Sequence, residues 1–416
     1  MFKGRYLAII AAGCILSFSL GLGTTCLGFF VGPVTAALGL SVTKFVTHIS
    51  VLTTFSIVGF SIAGFLVQKL GLKKLVILNG IVSGGCIALF SQCKSIFAFY
   101  VLSAIIGLLF FPGSSYVIPI MLSKWFIKSR GKVMGFCFAF SGVCGTVMGL
   151  IIPPIISSAG WKIGYLVLGA FEAGLLIITG LFLIKDSPED CGMKPYGWEE
   201  QTAASNSGTT KGAIKEEVSY TMKELTRTWQ FWGLALAIVL INVMASITSH
   251  YSNHYTIQGL NAEQAGYLVS LLSLVMIFTK IAEGAVSDKI GPTKTMAVCM
   301  ITYCIGFLLL TRTSFGILAA GAAILSIGAA SVTVMIPLLT QMSVGPKHYA
   351  SIWAIISIVN SLGTVIGNLV YGFVVDAAGN YLPILYANAG ISILCAVLFS
   401  VPVTSLKKKR DAEAIG

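Results

Sequence analysis

The sequence predicts an all-α membrane protein of about twelve transmembrane helices, arranged as two pseudo-symmetric six-helix bundles. Three observations predict it. Of 416 residues, 56% are apolar and only 10% charged, with a mean hydropathy of +0.91. A soluble domain of this length needs far more charge to cover its surface. The apolar residues fall in runs of roughly 20, the length at which a helix crosses a bilayer while satisfying its own backbone. Finally, Lys and Arg concentrate in every second break between runs, as they do when one side of a membrane retains positive charge.

The first run begins after Lys3 and Arg5 and continues to about Val31. A basic start before an apolar stretch also fits a secretory leader. The run shows no clear cleavage site and further spans follow, so it reads as the first helix. The spans fall at about 6–32, 43–68, 74–92, 95–122, 132–156 and 161–184 in the first half. In the second half they fall at about 229–252, 264–287, 295–311, 314–341, 350–375 and 382–404. With the N-terminus cytoplasmic, the inner breaks hold Lys69, Lys73, Lys74, Lys124, Lys128, Arg130, Lys132, Lys289, Lys294, Lys347 and the tail Lys407–Arg410. The outer breaks hold Lys44, Lys94, Lys162 and Arg312. This asymmetry places both termini in the cytoplasm, with a plasma (inner) membrane as the expected home.

The break after the sixth span differs from the others. Asp186 to about Gly212 is rich in Ser, Thr, Gly and acids and reads as a flexible linker. Ile214–Arg227 has helical amphipathicity, and is expected to lie on the membrane surface before Trp229 and Trp232 anchor the seventh span. The expected divisions are therefore 1–185, a linker over 186–227, and 228–416. An internal repeat supports them. Gly64, Lys69, Gly71 and Lys74 recur 220 positions on as Gly284, Lys289, Gly291 and Lys294, and Gly145–Gly149 (GTVMG) echoes Gly363–Gly367 (GTVIG). Two similar halves suit a carrier that rocks about a central site.

These loops resemble the G-x-L-x-D-[KR]-x-G-[RK]-[KR] pattern of the major facilitator superfamily, once in each half. The resemblance implies the fold of that family and a gating role for the loop residues. The second copy has Asp288 and Lys289; the first has Gln68 where the family has Asp, with Arg130, at the cytoplasmic end of the fourth span, as its expected hydrogen-bond partner. Three further stretches are similar to the branch holding oxalate–formate exchangers and monocarboxylate transporters. They are Ser123–Phe136 (SKWFIKSRGKVMGF), Asp186–Gly197 (DSPEDCGMKPYG) and Glu224–Leu234 (ELTRTWQFWGL). That branch implies a small organic anion, in particular a monocarboxylate, moved by proton symport or anion exchange.

Among candidate functional residues, Lys280 stands out. It lies nine residues before Lys289, about 13 Å from the inner boundary at helical rise, hence near mid-bilayer. A charge at that depth needs a polar cavity or a partner. Ser273, Lys280, Glu283, Gly284 and Ser287 fall on one helical face. Two readings stand: Lys280 receives an anionic substrate, or it forms a structural pair with Glu283 one turn on. In the resembling branch an Arg in an R-P-x-x-G context occupies this position, and Lys280–Gly284 aligns with it. Asn360 stands where the exchangers carry a second cation, and Met276 where the monocarboxylate branch has an Asp.

Glu172, midway along the sixth span, is either a proton carrier or a neutral packing residue. With Glu283 it makes the pair of proton-coupling candidates. Polar stripes run along the seventh span (Asn242, Ser246, His250, Asn253) and the eleventh (Ser357, Asn360, Ser361, Thr364, Asn368). Such stripes line a cavity or join helices by hydrogen bonds. His250, Tyr251, His254 and Tyr255 form an outer gate or an aromatic belt. Ser114, Ser115 and Tyr116 follow Pro112 in the fourth span, and Pro337 interrupts the tenth. Pro frees a backbone carbonyl, and such bends either open on a cavity, making Ser115 and Tyr116 substrate contacts, or are ordinary kinks.

The net charge of +12 reads as topology rather than nucleic-acid binding, because no basic surface with interleaved aromatics is present. The ten cysteines show no CxxC or metal-ligand spacing and behave as small hydrophobes. No nucleotide loop or HExxH occurs, so neither enzyme chemistry nor cofactor or metal is expected. The expected partners are the lipid bilayer, a small organic anion, and a proton or counter-anion, with the monomer as functional unit. Multidrug export is the alternative, against which the fifth span lacks a GP-x-x-GG run. A non-transporting receptor is the second alternative.

Overall fold

The computed structural model describes residues 4–24, 26–40, 42–113, 115–198, 220–260 and 262–413. It is all-helical. The first span is α1 (Arg5–Thr24), a 3-10 turn at Cys26–Phe30 and α2 (Val31–Leu38). The second and third form one run, α3 (Val42–Leu89), divided at Gly71, whose φ of 77° and ψ of 163° are not helical. The fourth is broken into α4 (Ile96–Leu108), a 3-10 turn at Phe111–Gly113 and α5 (Val117–Trp125). The fifth is α6 (Arg130–Ala159); the sixth is α7 (Trp161–Ile178) with a π-turn to Leu183. After the one-turn α8 (Met222–Leu225), the seventh span is α9 (Trp229–Ala245), a 3-10 turn and α10 (Tyr251–Ile257). Then follow α11 (Ala262–Ile290), α12 (Pro292–Leu309), α13 (Phe315–Val344), α14 (Tyr349–Ala378) and α15 (Leu382–Glu413).

Among the described residues ten stretches are each long and apolar enough to cross a membrane. One of them holds both the second and third spans, and the fourth is too short in each of its pieces to count. Twelve crossings result. The exposed surface is itself apolar: Phe65, Phe97, Phe182 and Phe373 are each more than 60% exposed. Water does not tolerate such a surface over a whole molecule, whereas lipid does.

The chain divides into two compact units. The first comprises Met1–Lys128 and Phe136–Trp198, the second Ser129–Gly135 and Glu199–Gly416. In the first unit the outer end is packed by aromatic rings. Phe30 stacks on Tyr165 with centroids 3.8 Å apart, and Phe90 stacks on Phe99 at 5.1 Å. In the second unit α13 is the most buried helix, and it runs through Pro337 without breaking. Tyr349 Oη donates to the Pro337 carbonyl at 3.2 Å.

The segment after the sixth span is not the loose linker expected as far as Trp198. Asp186 accepts the backbone N–H groups of Leu72 and Lys73, capping the start of the third span behind Gly71. Tyr196 accepts from Ile127 N at 2.9 Å and Lys128 N at 3.1 Å, and its own N–H donates to Trp125 O at 2.9 Å. Tyr6 packs its ring against Trp125, Phe126 and Tyr196 and donates to Lys194 O at 2.7 Å. Residues 199–219, the rest of the linker and the start of the expected amphipathic helix, lie outside the described residues. Within Tyr220–Arg227 only α8 is helical. Thr221 and Glu224 close it with a capping box, in which Thr221 N donates to Glu224 Oε2 at 2.7 Å.

Candidate functional site

In the second unit, Lys280 and Glu283 lie on α11 and are 7% and 4% exposed. Thr279, Gly284 and Ser287 are buried beside them, whereas Ser273, expected on the same face, is exposed. The Glu283 carboxylate reaches across to α12: Cys299 Sγ donates to Oε1 at 3.2 Å, and Oε2 has no hydrogen-bond partner. All ten cysteines are free thiols, and Cys299 is a polar partner rather than a mere small hydrophobe.

The first turns of α6 close over this part of α11. A Cβ on Gly135 would run into the Lys280 carbonyl oxygen, and one on Gly284 into the Gly131 carbonyl oxygen. Only hydrogen at those positions lets the two backbones meet, the small-residue packing common between membrane helices. Asp288 completes the junction by accepting Gly131 N at 2.8 Å and Lys132 N at 2.9 Å. Two orphan N–H groups at a helix start are thereby satisfied, and the negative charge sits at the positive end of the helix dipole. Lys289 is exposed at the end of α11, Arg130 is half-buried at the first position of α6, and Gln68 is exposed on α3.

Asn242 and Asn360 are brought together. Asn242 Nδ2 donates to Asn360 Oδ1 at 2.7 Å and to Ile238 O at 2.8 Å. Four residues on, Ser246 Oγ donates to Thr364 O at 3.2 Å. Gly363 and Gly367 let α14 lie against α9 at those points. Both amides therefore join helices. Asn368 is exposed, and the Asn253 side chain lies outside the described residues. At the far end of the same helix pair, His250 stacks on Tyr371 with centroids 5.2 Å apart, and its Nδ1 is 3.1 Å from Tyr381 Oη. His254 Nε2 is 3.0 Å from Leu310 O, and Tyr251 and Tyr255 are stacked and buried.

In the first unit, Tyr116 is fully buried between the rings of Phe60 and Phe111, at 6.0 and 5.8 Å, while Ser115 is half-buried and Ser114 lies outside the described residues. Glu172 on α7 is 4% exposed. Its Oε1 accepts from Ser83 Oγ at 3.1 Å and Ser19 Oγ at 3.5 Å; Oε2 has no partner. It faces a small pocket lined also by Asn79, Gly113 and Phe110, with room for roughly one water molecule.

Sequence reasoning missed Asp186, Asn79, Ser83 and Cys299. Asp186 opened the DSPEDCG stretch and Asn79 is the one Asn of the third span, so both carried a signal; Ser83 and Cys299 carried none beyond their polarity within apolar runs.

The sequence profile described as "Major Facilitator Superfamily" matches residues 13–290 and 255–416. Monocarboxylate transporter 12 of Xenopus laevis is 23% identical over 353 residues, covering 82% of this chain and 76% of that protein. The membrane sensor protein UhpC of Salmonella typhimurium is 24% identical over 239 residues, covering 55% of this chain and 53% of its own. Among solved structures, the proton:xylose symporter XylE superposes with a TM-score of 0.69 at 12% identity, covering 97% of this chain and 95% of its own. At that identity the likeness shows the fold.

Proposed function

The chain belongs to the Major Facilitator Superfamily, and from that premise, which makes it a membrane-embedded secondary transporter and not an enzyme, we propose that it carries a small organic anion, in particular a monocarboxylate. The observation that carries this reading is Lys280: an ammonium 7% exposed near the middle of the eighth span. A buried charge there persists when something negative offsets its desolvation. The similarity to a monocarboxylate transporter supports the same cargo class.

In this reading Lys280 receives the carboxylate, and Asn242, Asn360, Ser115 and Tyr116 are further substrate-contact candidates. Asp288, with Lys289, Arg130 and Gln68, belongs to the inner gate. Glu172 and Glu283 are the groups that would carry a coupled proton. The termini are cytoplasmic and the membrane is the plasma (inner) membrane, as the distribution of Lys and Arg supports. The monomer, divided at residues 185 and 228, is the working unit. The test is uptake of radiolabelled carboxylates into proteoliposomes holding the purified chain. Accumulation that unlabelled monocarboxylates compete away supports the reading. A chain that binds carboxylates without moving them would be a receptor, and one that moves only hydrophobic cations an exporter.

A further inference from the structure

The polar pocket of the first unit joins two features that the transport reading leaves separate. One is the buried Glu172 carboxyl. The other is the break in the fourth span at Phe111–Gly113, two residues before Ser115. Asn79 and Ser83 lie one turn apart on α3 and face the same pocket. Ser83 donates to Glu172. With its amide oriented so that both atoms are satisfied, Asn79 donates to Leu109 O and accepts from Gly113 N at 3.1 Å. It therefore ties the break at Pro112 to α3, adding a second acceptor to Gly113 N, which also donates to Phe110 O at 3.3 Å, and a donor to Leu109 O. Ser19, the second donor to Glu172, lies against the same point: a Cβ on Gly113 would stand 3.5 Å from Ser19 Oγ and collide with the Asn79 amide.

We propose that Glu172, Ser83 and Ser19 form a proton-binding site whose loading sets the conformation of the break in the fourth span. An ionised carboxylate offers roughly four acceptor positions. Here Oε1 takes two hydroxyls and Oε2 takes none. The site as built fits the neutral acid better than the anion, because an unsatisfied buried charge costs far more than an unsatisfied hydroxyl. Among the described residues no Lys, Arg, His, Asp or second Glu lines the pocket with it, and the titratable group within its electrostatic reach is the Cys144 thiol on α6. From α3 and α1 only the neutral Asn79, Ser83 and Ser19 face the pocket with polar groups.

Loss of the proton to water leaves a carboxylate that must recruit donors. The pocket offers two: one entering water, for which it has roughly the room, and the Asn79 amide. Asn79 can turn to Glu172 only by releasing Leu109 O and Gly113 N. Deprotonation thus loosens the break, and protonation restores it. The inference deepens the proton-coupling part of the transport reading and rests on that reading only for its use. Its test reads no cargo, so either can fail alone.

The test uses the purified full-length chain in lipid nanodiscs. Infrared difference spectra between acid and alkaline samples should show a carboxylic-acid C=O band that is lost on raising pH, shifts in D2O, and is missing in Glu172→Gln. Hydrogen exchange over residues 106–117, corrected for intrinsic rate, should be less protected at high pH in the parent and independent of pH in Glu172→Gln. If Glu172→Gln does not fold, Ser83→Ala and Ser19→Ala serve instead, and each should move the pH at which the band disappears. A titrating band that survives Glu172→Gln unchanged, a titration indifferent to both serine variants, or break exchange that follows pH alike in parent and variant would overturn the proposal.

Discussion

The Asp288 carboxylate accepts the backbone N–H of Gly131 at 2.8 Å and, through its second oxygen, that of Lys132 at 2.9 Å. A side chain from the end of the eighth span thereby caps the start of the fifth. The first half uses a different acid for a similar purpose. Its loop has Gln68, and Asp186 caps the third span just behind Gly71.

Asp288→Ala removes an acceptor from two helix-end donors. The expected cost is about 1 kcal/mol, the usual value of an N-cap, with Asp288→Asn losing less. Thermal unfolding of the purified chain would show it. Equal melting temperatures for parent and Asp288→Ala would mean that water caps the helix as well.

Gly135→Ala and Gly284→Ala each push a methyl group into a facing carbonyl oxygen. Overpacking of this kind costs roughly 1–3 kcal/mol. Gly85→Ala, where a Cβ meets nothing within 4 Å, is the matched control. Melting temperatures should fall for the first two and not for the control. A uniform response would show that the α6–α11 contact is looser than its geometry.

Much of this architecture was legible in the sequence and some was not. The spans followed from apolar run length, and the repeat located the two glycine turns at Gly71 and Gly291, both at positive φ. The break in the fourth span was legible from Pro112. What failed was any judgement about composition without periodicity. Asp186–Trp198 reads as linker because it is polar, yet Tyr196 and Asp186 tie it down through backbone hydrogen bonds that no propensity records. Likewise the Asn242 and Asn360 stripes are identical in sequence terms whether they line water or meet each other. Only the 2.7 Å separation reveals the bond.

That bond makes its own prediction. Asn242→Ala and Asn360→Ala should not be additive, because each removes the same contact. Coupling energies between polar side chains in membranes average about 0.6 kcal/mol. A double-mutant cycle on unfolding in detergent measures it, and strict additivity would mean that the two amides act separately.

Glu224 lies outside the membrane, at the one-turn helix before the seventh span. The Thr221 backbone N–H, and then the Thr221 hydroxyl, hold its carboxyl below the usual glutamate value. A folded-state value depressed in this way contributes stability that is present above the unfolded value and lost as pH falls through the folded one. Hydrogen exchange at 221–227 should therefore speed up, relative to intrinsic rates, on acidification into the carboxylate range. Glu224→Gln should remove that dependence, and a variant as pH-sensitive as the parent would assign the effect elsewhere.

The central claim is that Lys280 receives the anion, and the competing account is a structural pair with Glu283. Carboxylate binding and melting temperature, measured together on Lys280→Ala, Glu283→Ala and the double variant, separate the two. The anion-receptor account predicts that Lys280→Ala stays folded and inserted, loses carboxylate binding, and does not regain it when Glu283→Ala is added; Lys280→Arg should keep part of the binding, since the charge remains. A structural pair predicts that Lys280→Ala strands a buried acid and unfolds at lower temperature. A double variant that recovers both stability and transport to the parent's level would contradict the account.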